Sequence, residues 1–135
     1  MARIEWNTRL ATYHPTIDEQ HKGLLEAFNA LQEALNRGTD KAEVARKLTH
    51  LQDFTVHHFR AEQGLMERAG YPRYGAHLAL HEELLAQVAD VCAAFEEDRV
   101  SMSPTMMGFL EEWLIEHIQD EDVKLADWLR SEGKA

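Results

Sequence analysis

Apolar residues recur every three or four positions along four stretches of this 135-residue chain. At that spacing the side chains share one face of an α-helix, so each stretch predicts an amphipathic helix. Residue types typical of helix starts and ends lie at the limits of the four stretches. The first two helices are predicted from near Thr16 or Asp18 to Gly38, and from after Thr39 or Asp40 to before Gly70. The third is predicted from after Tyr74 or Gly75 to about Asp98, and a fourth begins around Ser103 and Pro104.

The pattern predicts an all-α protein. No stretch alternates apolar and polar residues for long, and no Asn-Gly or Asp-Gly pair indicates a hairpin. Short connections force neighbouring helices to run antiparallel, which predicts an up-down-up-down four-helix bundle. We expect one domain over 1–135, with an N-terminal arm at 1–17 and the bundle at 18–135, because Pro15 interrupts a helix in the arm. Trp6, Tyr13 and Ile17 are expected to hold the arm against the bundle.

Seven residues with metal-binding side chains interrupt the apolar faces of these helices. A buried polar group costs free energy unless a partner satisfies it, and seven such groups in one small core predict a metal site. Alone, each has an ordinary explanation, such as a hydrogen-bonded core histidine or a solvated carboxylate. The seven are His21, His58, Glu62, His77, His81, His117 and Asp122.

The four sets of donors are predicted to lie at one depth in the bundle. Each set is separated by a similar number of residues from a turn at the same end. At 1.5 Å per residue, all lie roughly 23–30 Å from that end. Antiparallel alternation therefore brings separate motifs from four helices into one site.

The fourth helix has an irregular donor spacing. His117 and Asp122 are five positions apart, whereas regular helical geometry would favour Glu121 as the partner of His117. Asp122, in contrast, continues the apolar line of its helix. Both His117 and Asp122 can reach one centre if they lie on the flanks of that face or if the helix loosens locally, as π-bulges do at functional sites.

The number of donors predicts two metal ions. Tetrahedral zinc needs four ligands and one octahedral ion takes six, while seven donors include two carboxylates that can bridge. Imidazole-rich ligation without thiolates suits iron, zinc, nickel or copper, and the residues alone do not choose among them. Cys92 is the one cysteine and is expected to be a small buried thiol.

The charge and composition of the chain limit the classes of partner that it can bind. The net charge of -10 argues against nucleic acid or an anionic membrane surface as a partner. No stretch has the ~20 apolar residues of a membrane span and no secretion signal is evident, so the expected location is the cytoplasm. The remaining histidines, His14, His50 and His57, are expected to have surface or structural roles.

At these motifs the chain resembles the bacterial hemerythrins over nearly its whole length. The residues that carry the resemblance are Trp6, Asp18-Glu19-Gln20-His21, His58-Phe59-Arg60-Ala61-Glu62, Gly70-Tyr71, His77 to His81, and Trp113-Leu114-Ile115-Glu116-His117 with Asp122. The resemblance implies a non-haem di-iron centre, and it implies Asp122 rather than Glu121 as a ligand.

The resemblance also implies how the donors are shared. His77, His81 and His117 would bind one iron, His21 and His58 the other, and Glu62 and Asp122 would bridge both with an oxo or hydroxo group. The iron with two histidines keeps an open position for O2. The irons would alternate between Fe2+ and Fe3+. An apolar pocket that excludes water and protons would comprise Leu24, Phe28, Phe59, Trp113, Leu114 and Ile118.

The implied function is reversible binding of O2 for carriage, storage or delivery, without enzyme activity. NO or small anions such as azide are further expected ligands, and an O2-consuming enzyme is the expected recipient. Two alternatives stay open at this point: a sensor of O2 or NO, and a di-iron redox enzyme such as a peroxidase or an NO-handling protein. No general acid or base is evident outside the proposed ligands.

Overall fold

The computed structural model describes residues 5–6, 8, 10–98 and 104–133, and no strand occurs in that part of the chain. A π-helical segment at Ile118–Asp122 joins α4 (Pro104–His117) to α5 (Val123–Ser131), so these three elements form one continuous fourth helix. The all-α prediction is confirmed. The helices are α1 Pro15–Asn36, α2 Lys41–Ala69, α3 Tyr74–Glu96, α4 Pro104–His117 and α5 Val123–Ser131.

Contacts between helix ends show the alternating directions of the bundle. Lys41, at the start of α2, donates to the carbonyl of Glu96 at the end of α3 (3.1 Å). Arg130, near the end of α5, donates to the carbonyl of Thr12, just before α1. Each pair joins the beginning of one helix to the end of another, as the predicted up-down-up-down order requires. No helix in the described ranges has the length and apolar character needed to cross a membrane.

The start of α1 differs from the prediction. The helix begins at Pro15, before Thr16 or Asp18, and the N-cap is His14, whose Nδ1 accepts a hydrogen bond from Ile17 N (3.3 Å). Proline suits the first helical position because its missing N–H would have no partner there. Asp18 instead holds the arm by accepting hydrogen bonds from the backbone N–H groups of Thr12 (2.8 Å) and Tyr13 (3.1 Å).

Other helix ends follow their predicted chemistry. Asp40 caps α2 by accepting a hydrogen bond from Glu43 N (2.9 Å). Gly70 ends α2 in the left-handed conformation with φ 71°, and Gly38 follows α1 with φ 67°. Glycine adopts this conformation without the steric cost that a Cβ imposes. The predicted cap at Ser103 lies outside the described residues.

The arm packs on the bundle through different residues from those expected. Trp6 contacts the core and Lys22 lies over its ring, 5.3 Å from the centroid. Tyr13 is 68% exposed, so it is not buried against the bundle, and it meets α5 through Arg130, which lies over its ring. Among the described residues before α1, Leu10 is the apolar residue that is buried. Ile17 is buried, but it belongs to the first turn of α1.

The interior contains two separate apolar clusters. The larger apolar cluster includes Leu31, Leu48, Leu51, Val88 and Leu110 among its fully buried members, and Cys92 lies within it as predicted. The smaller apolar cluster comprises Ile17, Met66, Tyr71, Leu125, Ala126 and Leu129. Along the chain, the predicted metal donors of each helix are preceded by a residue of one of these clusters and followed by a residue of the other. The donors therefore form a polar layer with apolar packing on both sides.

Candidate metal centre

All seven predicted donors converge in this polar layer, where each is buried. They form two overlapping groups, and within each group one ligand atom per residue lies within 4.8 Å of the others. Glu62 and Asp122 belong to both groups. The three-histidine group adds His77, His81 and His117 to these carboxylates, and the two-histidine group adds His21 and His58.

Asp122 presents one carboxylate oxygen to each group. Its Oδ2 lies 2.6 Å from His21 Nε2 and 3.1 Å from His58 Nε2. Its Oδ1 lies 3.4 Å from His77 Nε2 and 3.1 Å from His117 Nε2. A carboxylate so placed faces two centres at once, which is the arrangement of a bridging ligand.

Glu62 faces both groups from α2. Its Oε1 lies 3.1 Å from His81 Nε2, 3.4 Å from His77 Nε2 and 3.7 Å from His58 Nε2. His58 precedes Glu62 by four positions, so both side chains leave the same face of α2. His77 and His81 are related in the same way on α3, and their rings meet edge-on with centroids 4.4 Å apart.

The π-helical segment explains the irregular spacing on the fourth helix. His117 ends α4, and Asp122 is the last residue of the segment. Because a π turn contains more residues than an α turn, residues five apart return to the same face. Of the two predicted alternatives, the structure therefore shows the local loosening of the helix. Glu121, which a regular helix would have favoured, lies near the surface instead, 3.9 Å from Arg73 and 3.7 Å from Lys124.

Many polar atoms of the layer have no hydrogen-bond partner among the described residues. They include both oxygens of Glu62, Oδ1 of Asp122, and both ring nitrogens of His77, His81 and His117. Buried groups without partners are rare in proteins because each loses its hydration without compensation. The Nε2 atoms of these histidines lie 3.1–3.9 Å from oxygens of Glu62 and Asp122, and an imidazole and carboxylate set of this kind fits a di-iron site.

The buried imidazoles and carboxylates of the layer shift one another's pKa values. Burial lowers the pKa of His77 and that of His117, but the closely placed carboxylates of Asp122 and Glu62 outweigh it and raise the two pKa values to about 9 and about 10. Burial lowers the pKa of His81 below its usual value. For Glu62, burial and the Asp122 charge raise the pKa, but the charge of His58 and the close imidazoles of His117 and His77 hold it at about 2.

The pKa of Asp122 is also held well below its ordinary value, because the charge of the nearby His117 and the hydrogen bonds of His21 and His58 outweigh the effect of burial. The carboxylates are therefore ionised and ready to accept a cation. Metal binding displaces protons from the histidines, as ligation by neutral imidazole requires.

Aromatic rings pack directly on the donors. Phe59 lies flat on the ring of His81, with centroids 3.8 Å apart and planes 2° from parallel, and it also contacts His117. All six residues of the predicted apolar pocket are buried and belong to the larger apolar cluster. Trp113 is the most exposed of them at 8%.

A surface cavity of about 490 Å³ lies between α3 and α4 and reaches one of the seven donors, His117. Leu80, Leu84 and Trp113 line it, together with acidic residues of the fourth helix. Solvent therefore comes closest to the three-histidine group, while this cavity does not extend to His21 or His58.

The other histidines lie outside the layer, as expected. His50 and His57 are exposed on α2, and His14 is buried as the N-cap of α1. Gln20 was not predicted as a functional residue, although its Oε1 lies 2.7 Å from His58 Nδ1. The only sequence signal was its position directly before His21.

Comparison with known proteins agrees with this geometry. The family model described as the hemerythrin HHE cation-binding domain matches residues 13–129. A bacteriohemerythrin of Pseudomonas aeruginosa is 34% identical over 130 residues, covering 96% of this chain and 84% of that protein. One of the hemerythrin chains of Sipunculus nudus is 32% identical over 124 residues, which is 92% of each chain.

A solved structure shows the same fold. The crystal structure of a wild-type hemerythrin superposes with a TM-score of 0.87 at 28% identity, and the match covers 93% of this chain and 97% of that one. Proteins of this family bind a non-haem di-iron centre, and the donor layer described above fits one. By its sequence, its fold and its convergent donors, the chain belongs to the hemerythrin family.

Proposed function

We propose that this protein binds O2 reversibly at a non-haem di-iron centre, and that it serves in oxygen carriage, storage or delivery. The observation that carries the proposal is the division of the donor layer into three-histidine and two-histidine groups that share two carboxylates. Together with family membership, this division favours a dinuclear centre with unequal halves.

The proposed ligands follow the two groups. His77, His81 and His117 would hold one iron, while His21 and His58 would hold the other. Glu62 and Asp122 would bridge the two, with an oxo or hydroxo group completing the bridge. The four short distances from the Asp122 oxygens support its bridging role.

The unequal histidine count provides a place for the gas. An octahedral ion takes six ligands, so the two-histidine group leaves one position more than its partner for a small molecule. A di-iron centre supplies the electrons that make O2 binding reversible. NO and small anions such as azide have the right size for the same position.

The chain's apolar residues would protect the bound gas. Leu24, Phe28 and Ile118 are 1% exposed or less, and Leu114 is 2% exposed. With Phe59 and Trp113 they would exclude water and protons, which promote irreversible oxidation. No described polar side chain outside the ligand set and Gln20 lies within hydrogen-bond distance of the donors, so the layer offers no evident general acid or base for an enzymatic reaction.

The test is metal analysis followed by oxygenation cycles. We expect two irons per chain and an optical spectrum that changes when reduced protein meets O2. The spectrum of the reduced protein should return when O2 is removed. The cycle should be repeatable without net consumption of O2. Continuous consumption would instead indicate a redox enzyme, and a single bound ion would contradict the dinuclear proposal.

Two adjacent histidines provide a matched control. His58 is buried in the donor layer, whereas His57 is exposed on the same helix. His58→Ala should lower the iron content below two per chain, and His57→Ala should leave it at two. Equal iron contents in the two variants would remove His58 from the ligand set. Delivery to an O2-consuming enzyme and a cytoplasmic location remain predictions.

A further inference from the structure

His58 differs from the other histidines of the donor layer at its second ring nitrogen. Its Nδ1 lies 2.7 Å from Oε1 of Gln20, which is partly buried on α1. In the described part of the chain, Nδ1 of His21, His77, His81 and His117 has no hydrogen-bond partner. The contact of Gln20 is therefore a specific feature of the two-histidine group.

The chemistry of this contact fixes the tautomer of His58. An amide carbonyl oxygen can only accept a hydrogen bond, so Nδ1 of His58 must carry the proton and donate it. Nε2 is then left with the lone pair that a metal requires. That nitrogen faces Asp122 Oδ2 at 3.1 Å, inside the donor layer. The opposite tautomer would direct an N–H at the metal position.

Gln20 and His21 are neighbours on the same turn of α1, and together they control both histidines of the group. His21 enters the donor layer directly, 2.6 Å from Asp122 Oδ2. Gln20 reaches the neighbouring helix and holds the ring of His58. The two rings meet with centroids 4.8 Å apart. One turn of α1 therefore sets the positions of both imidazoles.

We propose that Gln20 is a positioning residue for the iron bound by His21 and His58: it fixes the ring orientation and tautomer of His58, and as a neutral acceptor it raises the basicity of that ligand less than a carboxylate would. The proposal rests on the di-iron function proposed above. Partners of this kind orient metal-binding histidines and increase their basicity, more strongly when the partner is a carboxylate.

The test uses two substitutions at Gln20 and one control. Gln20→Met keeps the length of the side chain but removes the acceptor, and Gln20→Glu keeps an acceptor and adds a negative charge. The control is Gln119→Met, the same chemical change at an exposed glutamine of the π-helical segment. The readouts are the rate at which a chelator removes each iron and the midpoint reduction potential of the loaded protein.

Gln20→Met should release one of the two irons several-fold faster than wild type, and Gln20→Glu should restore slow release. Gln20→Glu should also lower the reduction potential, because a more basic His58 stabilises the ferric state. Gln119→Met should match wild type in both readouts. A purely structural role of Gln20 would change the melting temperature without rescue by glutamate and without a shift in potential.

The outcomes separate the two proposals. If wild type does not hold two irons, the proposed function fails. If wild type holds two irons and Gln20→Met releases both at the wild-type rate, only the positioning role fails. Should Gln20→Met not fold, the potential of Gln20→Glu decides, and an unchanged potential would overturn the proposal.

Discussion

Two adjoining regions of the bundle interior, the larger apolar cluster (the apolar half of this pair) and the donor layer (the metal-binding half), fill their space in different ways. In the larger apolar cluster, residues such as Leu31 and Leu48 fill the space between helices with side chains that need no partner. The donor layer instead places five histidines and two carboxylates in the same kind of position, all of them buried. The apolar half needs no further group to satisfy its side chains, whereas the polar atoms of the donor layer need a bound metal.

The contrast shows how stability and function are divided along each helix. Burying apolar side chains stabilises the fold in every metal state. The unpartnered donors cost free energy until a ligand satisfies them, so metal binding should add to the stability of the folded chain. Substitutions in the donor layer are therefore expected to change metal binding and the stability that depends on it. Substitutions in the apolar half are expected to change stability in every metal state.

The largest effect is expected from Asp122→Ala or Glu62→Ala. Each carboxylate belongs to both donor groups, so its loss should lower the iron content below two per chain. The iron-dependent part of the stability should fall with it, because a ligand stabilises only the state that binds it. Metal analysis, with thermal unfolding before and after chelation, measures both quantities.

Asp120→Ala is the matched control for this prediction. Asp120 is exposed and belongs to the same π-helical segment as Asp122, so its loss should leave two irons bound. Two irons in both Asp122→Ala and Glu62→Ala would show that neither carboxylate bridges the metals. Iron binding by the donor layer would then not depend on either carboxylate.

The next largest effect is expected from Leu31→Ala in the apolar half. Leu31 is fully buried, and truncation of such a leucine costs about 2–5 kcal/mol because it leaves a cavity. The loss of stability should be the same in iron-loaded and iron-free protein. The iron-loaded variant should still hold two irons. Chemical denaturation of both forms measures it. A loss confined to the iron-loaded form would mean that the two halves are coupled.

The two halves also differ in how far the sequence predicted them. Periodicity predicted the apolar half well, since any residue of suitable size on the inner face contributes. The convergence of donors such as His21 and His81 followed from helix spacing and antiparallel order. The π-helical turn was foreseen only as one of two ways for His117 and Asp122 to reach a common centre.

Other details depend on contacts between elements, which a local pattern does not contain. The His14 cap, the burial of Leu10 and the exposure of Tyr13 follow from how the arm meets α1 and α5. The contact of Gln20 with His58 joins α1 to α2 and depends on the distance between those helices. No residue pattern within one helix specifies that distance.

A smaller effect is expected where α1 and α2 approach each other beside the donor layer. A Cβ added at Gly23 would lie only 2.2 Å from the ring of Phe54, so Gly23→Ala requires the helices or the ring to move. Such overpacking typically costs about 1–3 kcal/mol. We expect a lower free energy of unfolding, measured by chemical denaturation.

Gly108 in α4 provides the opposite case. A Cβ there meets no described atom within 4 Å, so Gly108→Ala should stabilise the helix by up to about 1 kcal/mol. If the free energy of unfolding falls in Gly23→Ala and rises in Gly108→Ala, a close approach of the helices requires glycine at position 23. If Gly23→Ala stabilised the protein as Gly108→Ala does, the contact of Phe54 with α1 would not constrain the bundle.

The smallest effect is expected at Leu114, where the larger apolar cluster borders the donor layer. Leu114 is buried three residues before His117, so it belongs to the apolar packing and to the proposed gas pocket. Leu114→Ala should shorten the lifetime of the oxygenated form several-fold, because the enlarged pocket admits water. Leu31→Ala, a similar truncation farther from the donors, should destabilise the fold without shortening that lifetime. Equal lifetimes in the Leu114 variant and wild type would mean that the pocket's protection does not depend on this side chain, and that its role is packing alone.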